Sequence, residues 1–155
     1  MLSRACEIRL LHQDDIPLIV AAFAELGWDK PTSLYQQYLT EQETHQRCVW
    51  VAFNDGVFLG YITLKWYSEY APFHQQNIPE IVDLNVLPKF RKQGIGDQLM
   101  EKAYQFAVEN NAKEIQLNTY FPGAHAFFLV LGFETVAVIP NWKYGLDCYL
   151  MRRKI

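Results

Sequence analysis

The chain has 155 residues, half of them apolar, with 14 basic and 17 acidic side chains and a formal net charge of −3. This suits a single domain over residues 1–155 that buries about two-thirds of its unfolded surface. It argues against a nucleic-acid partner, which calls for a strongly basic face, and suits a cationic substrate better.

Cys6 to Leu11 alternates around Ile8 and Leu10 and predicts a first strand, after which Asp14-Asp15 are expected to cap a helix carrying Ile16, Ile19, Val20, Phe23 and Ala24. Gly27 ends that helix. Thr32-Ser33 then reads as the N-cap of a second helix, with Leu34, Tyr35, Tyr38 and Leu39 on one side. Arg47 to Phe53 and Val57 to Tyr67 flank Asn54-Asp55-Gly56, a strong hairpin signal because Asp-Gly tolerates the positive φ of a primed turn. Ser68 to Pro79 reads as a loop bearing aromatic side chains, and Glu80 to Leu87 as the next strand. Ile95, Leu99, Ala103, Phe106 and Ala107 mark the buried face of a helix ending near Asn110-Asn111, and Glu114 to Tyr120 forms a strand beyond it. That order predicts a right-handed parallel βαβ unit. A helix over Ala124 to Leu131 and antiparallel strands over Phe133 to Ile139 and Leu146 to Arg152, joined by a Pro140 to Gly145 loop, complete the chain.

The most informative stretch runs from Leu84 to Gly96, where an apolar strand passes through Pro88-Lys89-Phe90-Arg91-Lys92-Gln93 to Gly94-Ile95-Gly96 and opens a helix. Glycines let backbone N–H groups approach a phosphate, and the helix N-terminus adds roughly half a positive charge. A P-loop is excluded because Asp97-Gln98 follows Gly96 where Lys and Ser or Thr are required. The dinucleotide fingerprint fails too, since six residues separate the strand from the first glycine and Leu99 holds the third glycine's position.

Arg91, Gly94 and Gly96 match the pyrophosphate-loop signature of the GNAT superfamily of acyl-CoA N-acyltransferases, which the segment resembles. Asp83-Leu84, Val86, Pro88 and the later Phe127-Phe128-Leu129-Val130-Leu131-Gly132-Phe133 are similar to the same family. The resemblance implies an α/β fold with a mixed, mostly antiparallel twisted sheet, a central parallel strand pair and helices on both faces. It implies acetyl-CoA as acyl donor, held by Leu84, Asn85 and Val86, by the loop Arg91, Lys92, Gln93, Gly94, Ile95 and Gly96, and by Asn118 and Phe128. It also places Phe128 where many members carry a tyrosine as general acid. A phenyl ring cannot donate a proton, so Tyr120 and Tyr144 are the substitute candidates.

With only Ser3, Ser33 and Ser68 available and no nucleophile elbow, direct transfer to the acceptor is expected. Cys6, Cys48 and Cys148 are far apart and the histidines unclustered, so no metal and a reducing, cytoplasmic setting are expected. The longest apolar run near the start, Pro17 to Ala24, is far short of the ~20 residues of a bilayer span, so no membrane partner is expected. An amine acceptor with a pKa of about 10.4 needs a carboxylate to collect its proton, directly or through water. Glu80 and Asp83 are the candidates, with Glu80 slightly preferred. Strict alternation, in the absence of a bulge, puts them on opposite faces of their strand. Trp28, Trp66, Tyr67, Glu69 and Tyr70 are the candidate cradle for a cationic amine, through cation–π and acidic contacts. The chain therefore reads as an acetyl-CoA-dependent N-acetyltransferase acting on a primary amine of a small molecule or peptide, with a homodimer a possible assembly. The alternatives are a catalytically impaired CoA-binding sensor or interaction module of the same fold, which Phe128 favours, and a dinucleotide-type binding domain, which the glycine positions disfavour.

Overall fold

The computed structural model describes residues 6–66 and 77–155. Among the described residues, seven strands form one sheet in the order β1-β2-β3-β4-β5-β7-β6, with β4 and β5 parallel and the pairs β1/β2, β5/β7 and β6/β7 antiparallel. The strands are β1 (Glu7–Leu10), β2 (Arg47–Asn54), β3 (Val57–Lys65), β4 (Glu80–Val86), β5 (Glu114–Thr119), β6 (Glu134–Lys143) and β7 (Leu146–Lys154). Four α-helices are present among the described residues: α1 (Ile16–Ala24), α2 (Thr32–Glu43), α3 (Ile95–Glu109) and α4 (Ala124–Val130). The mixed sheet with one parallel pair is the architecture expected of the sequence. Two compact units divide the chain, the first running to Leu64 and resuming over Asp83–Ala103, the second comprising Lys65–Val82 and Tyr104–Ile155.

In the first unit, α1 and α2 contact each other, and their apolar faces bury Ile16, Ile19, Phe23, Tyr35 and Tyr38. These join Val49, Val51, Phe58 and Tyr61 from the strands in one cluster. Gly27 (φ 74) closes α1, with the Gly27 N–H donating to Ala24 O and the Trp28 N–H to Phe23 O, a Schellman arrangement that satisfies the helix's last carbonyls. The helix starts differ from expectation. Residues Gln13–Asp15 form a 3-10 turn, and the Asp15 carboxylate reaches back to the His12 N–H (2.8 Å) and Arg9 (2.7 Å) instead of capping α1. At α2 the cap is Pro31, extended at φ −71 and ψ 149, with Thr32 already the first helical residue. Proline's ring restricts φ and so suits this entry to the helix, but it offers no side-chain acceptor, and the expected hydroxyl cap bond is not made. The Asp55-Gly56 turn is as expected, with both residues at positive φ (49 and 79).

In the second unit, β4 meets β5 at Glu80↔Gln116 and Ile81↔Leu117, and β5 lies against β7 throughout its length. Ile115, Leu117, Leu150 and Met151 are buried, as are Phe128 and Phe133, whose rings pack edge to face at 5.8 Å. The six-residue loop expected between the last two strands is replaced by a tight turn. β6 continues to Lys143, which pairs with Leu146, and the turn is Tyr144-Gly145 alone, at φ 53 and 72. Pro140, which suggested a loop, lies where the β6/β7 register shifts between Ile139 and Lys143, next to Asn141 at φ 52. At such an irregularity, on a strand that ends the sheet, a residue without an N–H is tolerated.

Candidate active site

The turn after β4 is built from the strand outward. The Leu87 N–H donates to Leu59 O (2.9 Å), a 3-10 turn covers Pro88–Phe90, and Arg91 Nε donates back to the Val86 carbonyl at 2.9 Å. Lys92 (φ 62) and Gly94 (φ 81) then turn the chain into α3, whose Ile95, Leu99, Met100 and Ala103 are buried. The first four N–H groups of a helix have no partner within it, and the helix dipole adds positive potential there. A Cβ built on Gly94 meets nothing within 4 Å, so the turn leaves room for a ligand. Lys89, Arg91 and Lys92 are exposed beside it. These features fit an anionic group such as a pyrophosphate. Asp97, in the first turn of α3, is the one acidic residue there.

The end of β4 is set by close approach to β3. A Cβ on Gly60 would overlap Asn85 O and lie 3.0 Å from Val86 Cα, so the strands meet there at a distance only glycine permits. Three residues earlier, Asp83 adopts φ 68, a left-handed conformation inside a strand. The regular alternation expected for Glu80 to Leu87 is therefore interrupted, and the assignment of the two carboxylates to opposite faces does not follow from residue parity.

Asp83 is the centre of a polar cluster in the first unit. Its Oδ2 accepts from Tyr61 OH (2.5 Å) and Tyr38 OH (3.0 Å), and its Oδ1 accepts from Asn85 Nδ2 (2.5 Å) and lies 3.7 Å from Lys30 Nζ. Tyr35 OH donates to Tyr61 OH at 3.3 Å. Burial and the Asp83 carboxylate push the phenols of Tyr38 and Tyr61 above their ordinary range; burial pushes Tyr35 up to about 12. Arg47, buried and bonded to Glu41 (2.6 Å) and Thr63 (2.7 Å), sits over the Tyr38 ring at 4.3 Å. Lys30 Nζ stands 5.5 Å from the Phe23 ring centroid, on which Trp28 also stacks at 5.7 Å.

In the second unit Glu80 is buried, 5% exposed, and accepts from Asn118 Nδ2 at 3.4 Å, while Gln116 Nε2 donates to Asn118 Oδ1 at 2.6 Å. Tyr120 stacks on Phe121 at 4.6 Å, and Lys143 lies 5.9 Å from its ring centroid. Tyr144 is 87% exposed at the tip of the β6–β7 turn. Trp66 packs against Phe106 at 5.5 Å. Tyr67, Glu69 and Tyr70 lie outside the described residues. Phe128 is buried against Phe127 and Phe133.

Of the residues expected from the sequence, Asp83, Asn85 and Trp28 fall in one neighbourhood, and Arg91 to Gly96 form one turn. Lys30, Tyr35, Tyr38 and Tyr61 were not expected there. Tyr35 and Tyr38 share a helix face, which reads equally as core, and Tyr61 is 22 residues from Asp83 in sequence, so no local pattern joins them.

Residues 16–133 match the model of the acetyltransferase (GNAT) family. The chain is 42% identical over 120 residues to an uncharacterized N-acetyltransferase of Archaeoglobus fulgidus, covering 72% of this chain and 80% of that one. It is 30% identical over 138 residues to an aminoalkylphosphonate N-acetyltransferase of Salmonella typhimurium, covering 83% and 85%. The fold superimposes on YncA of Salmonella typhimurium, solved with its cofactor acetyl-CoA, with a TM-score of 0.77 at 21% identity, over 97% of this chain and 94% of that one. With the strand, glycine turn and helix in place and the family model spanning most of its length, the chain belongs to the GNAT family and is an N-acetyltransferase that uses acetyl-CoA.

Proposed function

We propose that the acceptor is a primary amine of a small molecule or peptide and that Asp83 receives it. The observation that carries this is the Lys30 ammonium 3.7 Å from Asp83 Oδ1, beside aromatic rings: the cluster already accommodates one ammonium. Asp83 is 19% exposed at its side chain, so an incoming amine has access to it, whereas Glu80 is buried beside Asn118. The preference moves from Glu80 to Asp83 on that ground, because a general base must come within hydrogen-bond reach of the proton it takes.

In this reading the bound ammonium first loses one proton to Asp83, which passes it to solvent; the freed lone pair attacks the thioester carbonyl, the C–S bond breaks, and the thiolate takes a proton from water to become the free thiol of CoA. Nitrogen becomes strongly acidic once it has attacked, and Asp83 takes its second proton directly or through water. Backbone N–H groups of Leu84 to Val86 are the proposed contacts for the thioester arm, and those of Gln93 to Gly96 for the pyrophosphate, with Lys92 and Arg91 adding charge. Arg91 is braced on Val86 O, so it also ties the turn to the strand. A thiolate with a parent pKa of about 8.5 leaves near neutral pH without strict acid catalysis, so Phe128 is compatible with turnover. A cytoplasmic setting belongs to the same reading, supported by the free thiols of Cys6, Cys48 and Cys148. No helix among the described residues is long and apolar enough to cross a membrane.

The test is thiol release from acetyl-CoA across a broad panel of primary amines, with the amide product weighed by mass spectrometry. Turnover with at least one amine supports the reading. Acetyl-CoA binding without turnover on any of them would overturn a small primary amine as the acceptor.

A further inference from the structure

Lys30 and Asp83 put opposite charges side by side in a partly exposed aromatic setting, at side-chain exposures of 25% and 19%. Their 3.7 Å separation exceeds the 2.7–3.2 Å of an N–H···O hydrogen bond, so the pair is loosely made. The other partners of Asp83 are held firmly: Tyr61 and Tyr38 are buried, and Asn85 donates at 2.5 Å. Lys30 is different. It lies between α1 and α2 on a flexible four-carbon stem, which lets its ammonium move while Asp83 stays in place. Arg47, a second cation beside the cluster, is fixed by Glu41 and Thr63 and lies over the Tyr38 ring.

We propose that Lys30 and Asp83 together select an acceptor that carries an anionic acid group a few bonds from its amine, such as a short amino acid or aminoalkyl acid. The acceptor's ammonium replaces the Lys30 ammonium at Asp83, and the acid group takes the displaced Lys30 as its partner. Both charges of the resting pair are then satisfied by the acceptor's two ends, so binding leaves neither unpaired. An amine without an acid group leaves Lys30 unmatched, and a diamine brings a second positive charge against Lys30 and Arg47. This inference rests on the acetyl transfer at Asp83 proposed above.

Three acceptors of similar length separate the possibilities: β-alanine, propylamine and diaminopropane. In wild type, kcat/KM for β-alanine should exceed that for the other two by about tenfold, the size of one charge-assisted contact. Lys30→Gln should abolish that preference by lowering the β-alanine value and raising the diaminopropane value, and Lys30→Arg should restore it. Equal kcat/KM for β-alanine and propylamine, or a preference unaltered in a folded Lys30→Gln variant, would overturn the selection while leaving acetyl transfer standing. Absence of turnover with all three, and with the broader amine panel, would overturn acetyl transfer to small amines and the preference with it.

Discussion

The Tyr61 hydroxyl on β3 donates to Asp83 Oδ2 on β4 at 2.5 Å; its ring is fully buried, and the same hydroxyl accepts from Tyr35 OH. The bond orients a carboxylate that would otherwise rotate, and it couples the carboxylate to the aromatic core of the first unit. Because Tyr61 and Asp83 both belong to that unit, the placement of Asp83 follows from packing around α1, α2 and β3.

This coupling makes alkaline stability a test of the cluster. Burial raises Tyr35 from 10.0 to about 12, and Tyr38 and Tyr61 are shifted in the same direction. A tyrosine whose folded pKa lies above its unfolded value holds its proton more tightly when folded, so its stability contribution is complete below pH 10 and lost as pH rises through 12. Denaturant midpoints should therefore fall across that window, with phenolate absorbance rising as the protein unfolds. A midpoint that stays flat to pH 12 would show that these hydroxyls are not buried as described.

The glycine turn predicts a separable loss of acetyl-CoA. At Gly94 a side chain meets open space, so Gly94→Glu costs only the strain of a left-handed residue, roughly 1–2 kcal/mol. It nevertheless puts a carboxylate where the pyrophosphate is proposed to lie. Calorimetry should show no measurable acetyl-CoA binding to a protein with wild-type circular dichroism. Retained affinity would move the pyrophosphate elsewhere.

Gly60 predicts the opposite behaviour, a loss of stability. A methyl group there overlaps the β4 backbone at Asn85, which cannot yield as a side-chain tip can. Gly60→Ala should therefore cost about 1–3 kcal/mol, the usual penalty for overpacking. Thermal melts decide it: an unchanged Tm would mean that β3 and β4 are further apart than described.

Much of the fold was legible because its signals are local. Asp55-Gly56 demands a primed turn, Gly27 demands a left-handed helix end, and the spacing from Ile95 to Ala107 demands a buried helical face. The Arg91 to Gly96 turn was legible for the same reason. Asp83 was not, in the sense that matters: its left-handed φ within a strand has no glycine to announce it, and it upsets the alternation from which side-chain faces are inferred. Tyr38, 45 residues from Asp83, illustrates the second limit, since a hydroxyl on a buried helix face looks like core until its long-range partner is known. Pro140 misled in the other direction, because an irregular edge strand absorbs a proline that an interior strand would reject.

Asp83→Asn is the decisive substitution for the proposed proton transfer from the acceptor to Asp83, because asparagine keeps the shape while removing the charge. Steady-state kinetics of the variant with a primary amine that wild type acetylates should show kcat lower by roughly 10²–10⁴, with acetyl-CoA affinity retained, whereas Glu80→Gln should lose far less. Near-normal turnover by a folded Asp83→Asn variant, alongside a large loss in Glu80→Gln, would contradict the assignment and return the role to Glu80.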